Sequence, residues 1–259
     1  MTRKTYNSAT LRGKLRVCRY LSADDELREL VPRTVRFTRK GVLRMTERCT
    51  ILYIKPDVGS LGMGIFKVSL HEGGCELLDT TRRKQSRRTF DSIEAAYGYM
   101  KAKSSGPMIV QAAIDLDTVE GSPYDLRVMV QRKPGGKWTC TGKFAKIGVK
   151  GKIVTNYAQG GRLVTLPELW RRKGLGEKEG IQRSELLESK ALGIARLLSG
   201  KRAGMREMGV DFAFDRSGRL WVLEVNSNHP QFHPLRSIDR RAYYRMKRFA
   251  ASYGRFSSK

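Results

Sequence analysis

Acidic residues are scarce in this sequence: 25 Asp and Glu stand against 51 Lys and Arg, for a formal net charge of +26. That excess exceeds what solubility requires and points to an anionic partner: nucleotide phosphates, an acidic peptide, nucleic acid, a membrane surface or a wall polymer. The plain alternative is a basic protein whose charge is spread over its whole surface. Cysteine is also sparse. Cys18, Cys49, Cys75 and Cys140 are far apart and form no C-x-x-C pair. This argues against a zinc site or a disulfide frame and for ordinary reduced thiols in a cytoplasmic protein. No apolar segment follows the charges of Met1 to Ser8, and no apolar run is long enough to span a bilayer. Neither a secretory leader nor a transmembrane segment is expected. Fixed-period repeats and long low-complexity tracts are missing as well. The hydrophobic fraction, 40%, is that of a globular chain with a real core.

Two apolar runs flank Asp215-Arg216-Ser217-Gly218, a hairpin signal. Asp211 opens the first run. Glu224 and Asn226 lie two apart on the second and therefore share a face. Three oxygen-bearing side chains converging in this way suit a hard cation such as magnesium, usually shared with nucleotide phosphates. An ordinary hairpin with a wet polar face is the alternative.

Upstream, the β-rich Ile51–Ile54 stretch ends in Lys55, and Gly59, Gly62 and Gly64 follow before a further strand. Glycines let backbone N–H groups approach phosphate oxygens, and a lysine adds charge. The spacing is neither a P-loop, for no Lys-Ser/Thr follows the last glycine, nor a dinucleotide fingerprint. Asp211-Phe212-Ala213 lacks the glycine of a protein-kinase metal motif, and no His-Arg-Asp loop exists.

The remaining chain reads as follows. Residues 1–20 form a frayed basic start, and 22–30 a short helix ended by Pro32. Thr38 caps a second helix, and residues 71–90 form a hairpin with a solvated basic cluster. A helix after Asp91 buries Ile93, Ala96, Tyr97 and Met100. Ser104–Pro107 is a break and hinge. A strand over 108–114 leads into an antiparallel meander carrying Asp125, Arg127 and Gln131 on alternating positions. The loop Thr155–Gly161 suits a lid. A helix runs from Ser184 to Leu198, and a last cationic helix spans 237–249.

Together these segments resemble the ATP-grasp fold, and within it the YheC/YheD-type proteins described as endospore-coat-associated. The resemblance rests on Leu30–Thr34, Tyr53–Pro56 with Gly59–Ile65, Tyr124–Val128, Val154–Asn156 with Gly160-Gly161, and Leu223–Asn226, in that order. It implies an α+β fold, two subdomains gripping ATP between antiparallel sheets. The expected divisions are a short helical segment over 1–48, a small lobe over 49–106 and a large lobe over 107–259. The resemblance also implies roles. Lys55 would hold the ATP phosphates under a loop with Gly59, Ser60, Gly62 and Gly64. Gln111, Ala112, Ala113 and Ile114 would form the adenine hinge, and Asn156 would join the nucleotide contacts. Arg127 would touch the γ-phosphate or an acyl-phosphate, with Lys146 beside it where many relatives carry arginine. Asp211, Glu224 and Asn226 would bind Mg2+. The implied activity is an ATP- and magnesium-dependent ligase joining a carboxylate to an amine or thiol, on a peptide or other acidic acceptor. A kinase, or a non-catalytic spore-coat-associated protein keeping the fold, are the alternatives. The stretch before the Lys55 strand is short beside the N-terminal domain most ATP-grasp ligases carry.

Overall fold

The computed structural model describes residues 4–59, 63–80, 85–149 and 160–258. The first of its two antiparallel sheets has the order β1 (Thr34–Arg36), β6 (Met108–Ala112), β2 (Ile51–Pro56), β3 (Phe66–His71), β4 (Gly74–Asp79), β5 (Ser86–Phe90). Period-two alternation sorts its residues. Leu52 and Ile54 of β2 are fully buried beneath helices α2 (Arg39–Thr46) and α3 (Ile93–Lys103), with Phe66, Val68 and Met100. Each such side chain contributes about 1.5–3 kcal/mol. Tyr53 and Lys55 therefore face the other way. Thr38 caps α2 by accepting from the Gly41 N–H at 3.0 Å. Ser92, which holds the extended N-cap backbone, caps α3 by accepting from the Ala95 N–H at 3.2 Å.

The second sheet has the order β10 (Arg162–Val164), β9 (Thr139–Ile147), β8 (Ser122–Gln131), β11 (Glu207–Phe214), β12 (Leu220–Asn226), with β7 (Thr118–Val119) paired to β8. Leu126, Val128, Val130, Val210 and Phe212 pack under the long helix α5 (Glu177–Lys201) through Leu187, Ala191, Ile194 and Leu198. The opposite face is divided. One part, with Met129 and Phe144, is covered by α7 (Arg240–Ala251) through Ala242, Met246 and Ala250. A Cβ on Gly142 would come within 2.4 Å of Met246 Cε, so glycine lets α7 dock that closely. The other part carries Asp125, Arg127, Lys146 and Asp211.

Several local expectations need correction. Residues 14–22 form a helix, α1 (Lys14–Ser22), rather than a frayed start, because Val17 and Leu21 bury against the second lobe. Residues 22–30 hold turns and a single 3-10 turn, Arg28–Leu30, rather than a helix. A short helix α4 (Leu166–Arg172), capped by Thr165, was not foreseen. Helix α5 begins at Glu177, a full stretch before Ser184. Gly180 leaves room for Trp170, whose Cδ1 would lie 2.9 Å from an added Cβ. The last helix is divided at Asp239: α6 (Leu235–Ile238) precedes it, and its carboxylate caps α7 from the Ala242 N–H at 2.8 Å. The break at Ser104–Pro107 joins α3 to β6 inside the first lobe. The first sheet crosses both expected divisions, since β1 and β6 belong to it.

Distant segments close on one buried carboxylate, Glu207. It accepts from Arg255 Nη1 at 2.7 Å and Tyr253 Oη at 3.0 Å, with Lys4 Nζ at 3.2 Å and the Tyr6 hydroxyl also bonded. Both the Glu207 and Arg255 side chains are fully buried. Ser227 Oγ meanwhile accepts from the Leu11 N–H at 3.0 Å and donates to the Leu11 carbonyl at 2.9 Å. The segment before α1 is thus fastened to the loop that follows β12.

Candidate functional site

The site is built first from β2. Lys55 Nζ donates to Gln111 Oε1 at 2.8 Å, Gln111 Nε2 donates to Thr34 Oγ1 at 2.8 Å, and Thr34 Oγ1 donates to the Pro32 carbonyl at 2.7 Å. This relay across β2, β6 and β1 fixes the amide orientation and aims the lysine. Burial lowers the Lys55 pKa; the field of Glu224 opposes that shift and Lys14 adds to it. An amine of the first sheet thus senses a carboxylate of the second.

In the second lobe the pairing register sets Arg127, Asp211 and Glu224 in a row across β8, β11 and β12. A register shift after Asp211 marks a bulge there, a device that re-aims a side chain. Arg127 grips Asp211 with both prongs, Nε to Oδ1 at 2.6 Å and Nη2 to Oδ2 at 2.7 Å. Gly209 makes this possible: an added Cβ would stand 2.9 Å from Arg127 Nη1. Lys146 Nζ lies 2.7 Å from Asp125 and 3.2 Å from Asp211, and Asn226 Nδ2 donates to Asp211 Oδ2 at 3.1 Å. Burial alone would raise the Asp211 pKa, but Arg127 first and Lys146 second outweigh it and bring it to about 2. Burial would lower the pKa values of Arg127 and Lys146, but Asp211, with Asp125 adding to it, raises both.

A bridge joins the halves. Lys14, the first residue of α1, places Nζ 3.1 Å from Glu224 Oε1 and 3.2 Å from the Gly59 carbonyl. Asp57 seats that helix, accepting from the Leu15 N–H at 2.8 Å. The cleft therefore collects four cations, Lys14, Lys55, Arg127 and Lys146, against three carboxylates, Asp125, Asp211 and Glu224. This arrangement suits a polyanion.

The donor set also fits a magnesium ion. Glu224, Asp211 and the Asn226 amide are hard oxygen donors on adjacent strands. Among the described residues no group of three or more His, Cys, Asp or Glu could hold a metal by itself, so the third oxygen would be that of Asn226. Asp211 would have to be shared with Arg127 and Lys146, whereas Glu224 is held only by the flexible amine of Lys14 among the described ion pairs.

Direct contacts pair Lys55 with Gln111 and set Arg127, Lys146 and Asn226 on Asp211, while Lys14 links Gly59 to Glu224 between the two sheets. Gln111 acts there through its side chain. The amides of Ala112 and Ala113 are donated to the carbonyls of Arg33 at 2.9 Å and Ile51 at 3.1 Å, and Ile114 is half-buried beyond them. Gly64 adopts φ 70° and donates to Thr80 at 3.4 Å. Ser60, Gly62 and Asn156 lie outside the described residues, as does most of the Thr155–Gly161 loop. Sequence reasoning missed Lys14, Thr34 and the pairing of Asp125. The Gly13-Lys14 step opening the Val17–Leu21 helical spacing was the available signal for Lys14.

The family described as YheC/D like ATP-grasp matches residues 3–256. Two curated relatives come from Bacillus subtilis (strain 168). The endospore coat-associated protein YheD is 29% identical over 83% of this chain and 51% of its own length. The endospore coat-associated protein YheC is 20% identical over 76% of this chain and 54% of its own. The chain thus spans about half the length of these relatives. Among solved structures, N5-carboxyaminoimidazole ribonucleotide synthetase from Thermotoga maritima aligns with a TM-score of 0.53 at 12% identity, covering 96% of this chain and 51% of that one. The VanG D-Ala:D-Ser ligase from Enterococcus faecalis aligns with a TM-score of 0.50 at 14% identity, covering 83% and 52%. At such identities the likeness is one of fold. No helix among the described residues is long and apolar enough to cross a membrane.

Proposed function

The chain belongs to the YheC/D-like ATP-grasp family, and from that premise we propose that it binds ATP with magnesium between its two sheets. There it activates a carboxylate as an acyl-phosphate for attack by an amine or thiol. One observation carries this reading: Lys55 of the first sheet and the Asp211–Glu224 pair of the second bear on a common cleft, with Lys14 tying Glu224 to Gly59. A triphosphate entering there replaces the carboxylate as the partner of Lys14 and meets Lys55 already desolvated and aimed.

The γ-phosphoryl group passes from the β-phosphate oxygen to a carboxylate oxygen of the substrate, releasing ADP. The amine or thiol then attacks the acyl carbon, phosphate leaves, and the nucleophile's proton goes to solvent. Such chemistry needs positioning and charge neutralisation more than a protein nucleophile. Lys14 and Lys55 hold the phosphates. Arg127 and Lys146, fixed by Asp211 and Asp125, present positive charge to the transferring group. Magnesium, when held by Asp211, Glu224 and Asn226, supplies further neutralisation of phosphate charge. The acceptor is an acidic peptide or similar anion, which the net charge of +26 would gather. The names of the two Bacillus relatives support placing this work at the spore.

The test is ADP release on incubation with ATP, magnesium and candidate carboxylate and amine substrates, with Glu224→Gln alongside. A stable phosphorylated product instead of an amide or thioester would make the protein a kinase. Undetectable ATP binding by calorimetry would leave a non-catalytic member of the family.

A further inference from the structure

The first lobe holds a second concentration of positive charge, apart from the cleft. A cavity of about 500 Å³ lies between β1 and α2, lined by Arg33, Arg36, Lys40, Arg44 and Arg48, with Glu47 as the acid among its lining residues. Val35 also lines it and packs with the cluster under α2, on the face of β1 opposite Thr34. Thr34 belongs to the relay that aims Lys55, so β1 contributes both to the cavity and to the bracing of the cleft lysine.

The cations there are held together by backbone. Gly41 sits so near β1 that a Cβ would come 2.5 Å from the Arg36 carbonyl. That approach sets the first turn of α2, with Lys40, directly against Arg36. Lys40 and Arg44 stand four apart on α2, where like charges repel one another, and Arg48 follows in the turn just past its end. No ion pair within the described residues relieves any of the five, although neighbouring Arg39 reaches Glu94 at 3.8 Å. Five cations against the single acid Glu47, held in a concave site by the fold, call for an anion from outside.

We propose that this cavity is a binding site for a compact polyanion, a small molecule bearing several phosphate or carboxylate groups. Four of the five cations are arginines, whose planar fork takes such groups two oxygens at a time. The volume lies in the range of small-molecule pockets. Arg33 and Arg36 of the β1 side stand across the cavity's lining from Lys40 and Arg44 of α2, and the bounded volume favours a compact ligand over an extended nucleic-acid backbone. The site is independent of the ATP reading, because it uses none of the cleft residues.

The experiment is calorimetric titration of the full chain with inorganic tripolyphosphate at low salt. The wild type, Lys55→Met, the triple variant Arg36→Gln/Arg44→Gln/Arg48→Gln and the single variant Arg44→Gln would be compared. All the substituted arginines are exposed, and melting curves report whether each variant folds. We expect, beside any binding at the cleft, a saturable site that is kept in Lys55→Met, weakened at least tenfold in the triple variant and measurably in Arg44→Gln. Binding unchanged by the arginine substitutions, or abolished by Lys55→Met, would place the anion elsewhere and overturn the proposal. So would affinity for single-stranded RNA that grows with length while tripolyphosphate fails to saturate.

Discussion

Arg127 and Asp211 stand opposite each other on β8 and β11 and are joined by two hydrogen bonds of 2.6 and 2.7 Å, both side chains largely buried. The pair is a unit of structure as much as a site component. Arg127→Ala leaves a buried carboxylate with Lys146 and Asn226 alone, at an expected cost of about 3–5 kcal/mol. Replacing both residues by apolar ones should cost less than the sum of the single changes. A double-mutant cycle in urea measures the coupling, and additive effects would contradict the pairing.

Acid should weaken the protein in a defined window. The folded Asp211 pKa, about 2, lies below the ordinary 3.8. Its contribution is therefore complete above the ordinary value and disappears as pH falls through the folded one. The shift corresponds to about 2 kcal/mol. Unfolding measured from pH 5 to pH 2 should show that loss in the wild type and its absence in Asp211→Asn. Parallel curves would refute the assignment.

Lys55 offers a contrast between binding and stability. Burial lowers its pKa, so at neutral pH its positive charge is held at a cost. Lys55→Met should lower ATP affinity at least tenfold while its stability without nucleotide stays within about 1 kcal/mol of wild type, the lost Gln111 bond offsetting the relieved burial. Calorimetry with ATP and a thermal melt check the two halves separately. Unaltered ATP affinity would count against the cleft as a nucleotide site.

Gly209→Ala tests the site from a residue outside its chemistry. The added methyl would lie 2.9 Å from Arg127 Nη1 and 3.1 Å from its Cδ. Arg127 must move off Asp211, at an expected cost of about 1–3 kcal/mol. The acid transition of the previous experiment should shift upward in this variant. If Gly209→Ala leaves both stability and that transition in place, the packing argument is wrong.

Much of the architecture was legible because turns punctuate it. Asp215 and Gly218 mark the hairpin of β11 and β12: the Asp215 carboxylate accepts from the Ser217 and Arg219 amides, and Gly218 takes φ 84°. Two-residue alternation set Glu224 beside Asn226 and showed that Asp125 and Arg127 share a face. Contacts between distant strands were not legible. The sequence places Gln111 on a strand, yet only the register of β1, β6 and β2 makes its side chain the brace of Lys55. Lys14 was hidden for a related reason. In α1 the two buried residues, Val17 and Leu21, stand beside basic ones, and their helical period makes sense only once the surface of the second lobe is there to receive them.

The meeting of Tyr6, Arg255 and Glu207 has a consequence for synthesis. Strands of the first sheet come from one continuous stretch, 34–112, and can pair as soon as that stretch has left the ribosome. The second lobe cannot complete the set of partners around Glu207, begun by Lys4 and Tyr6, until Arg255 arrives, more than forty positions later in the chain. During that interval the buried carboxylate would have Lys4 but not its second cation, and the N-terminal residues would have only part of their anchorage. A nascent chain of this protein should therefore harden in two stages, with the lobe that supplies the carboxylates of the cleft the last to become resistant to proteases.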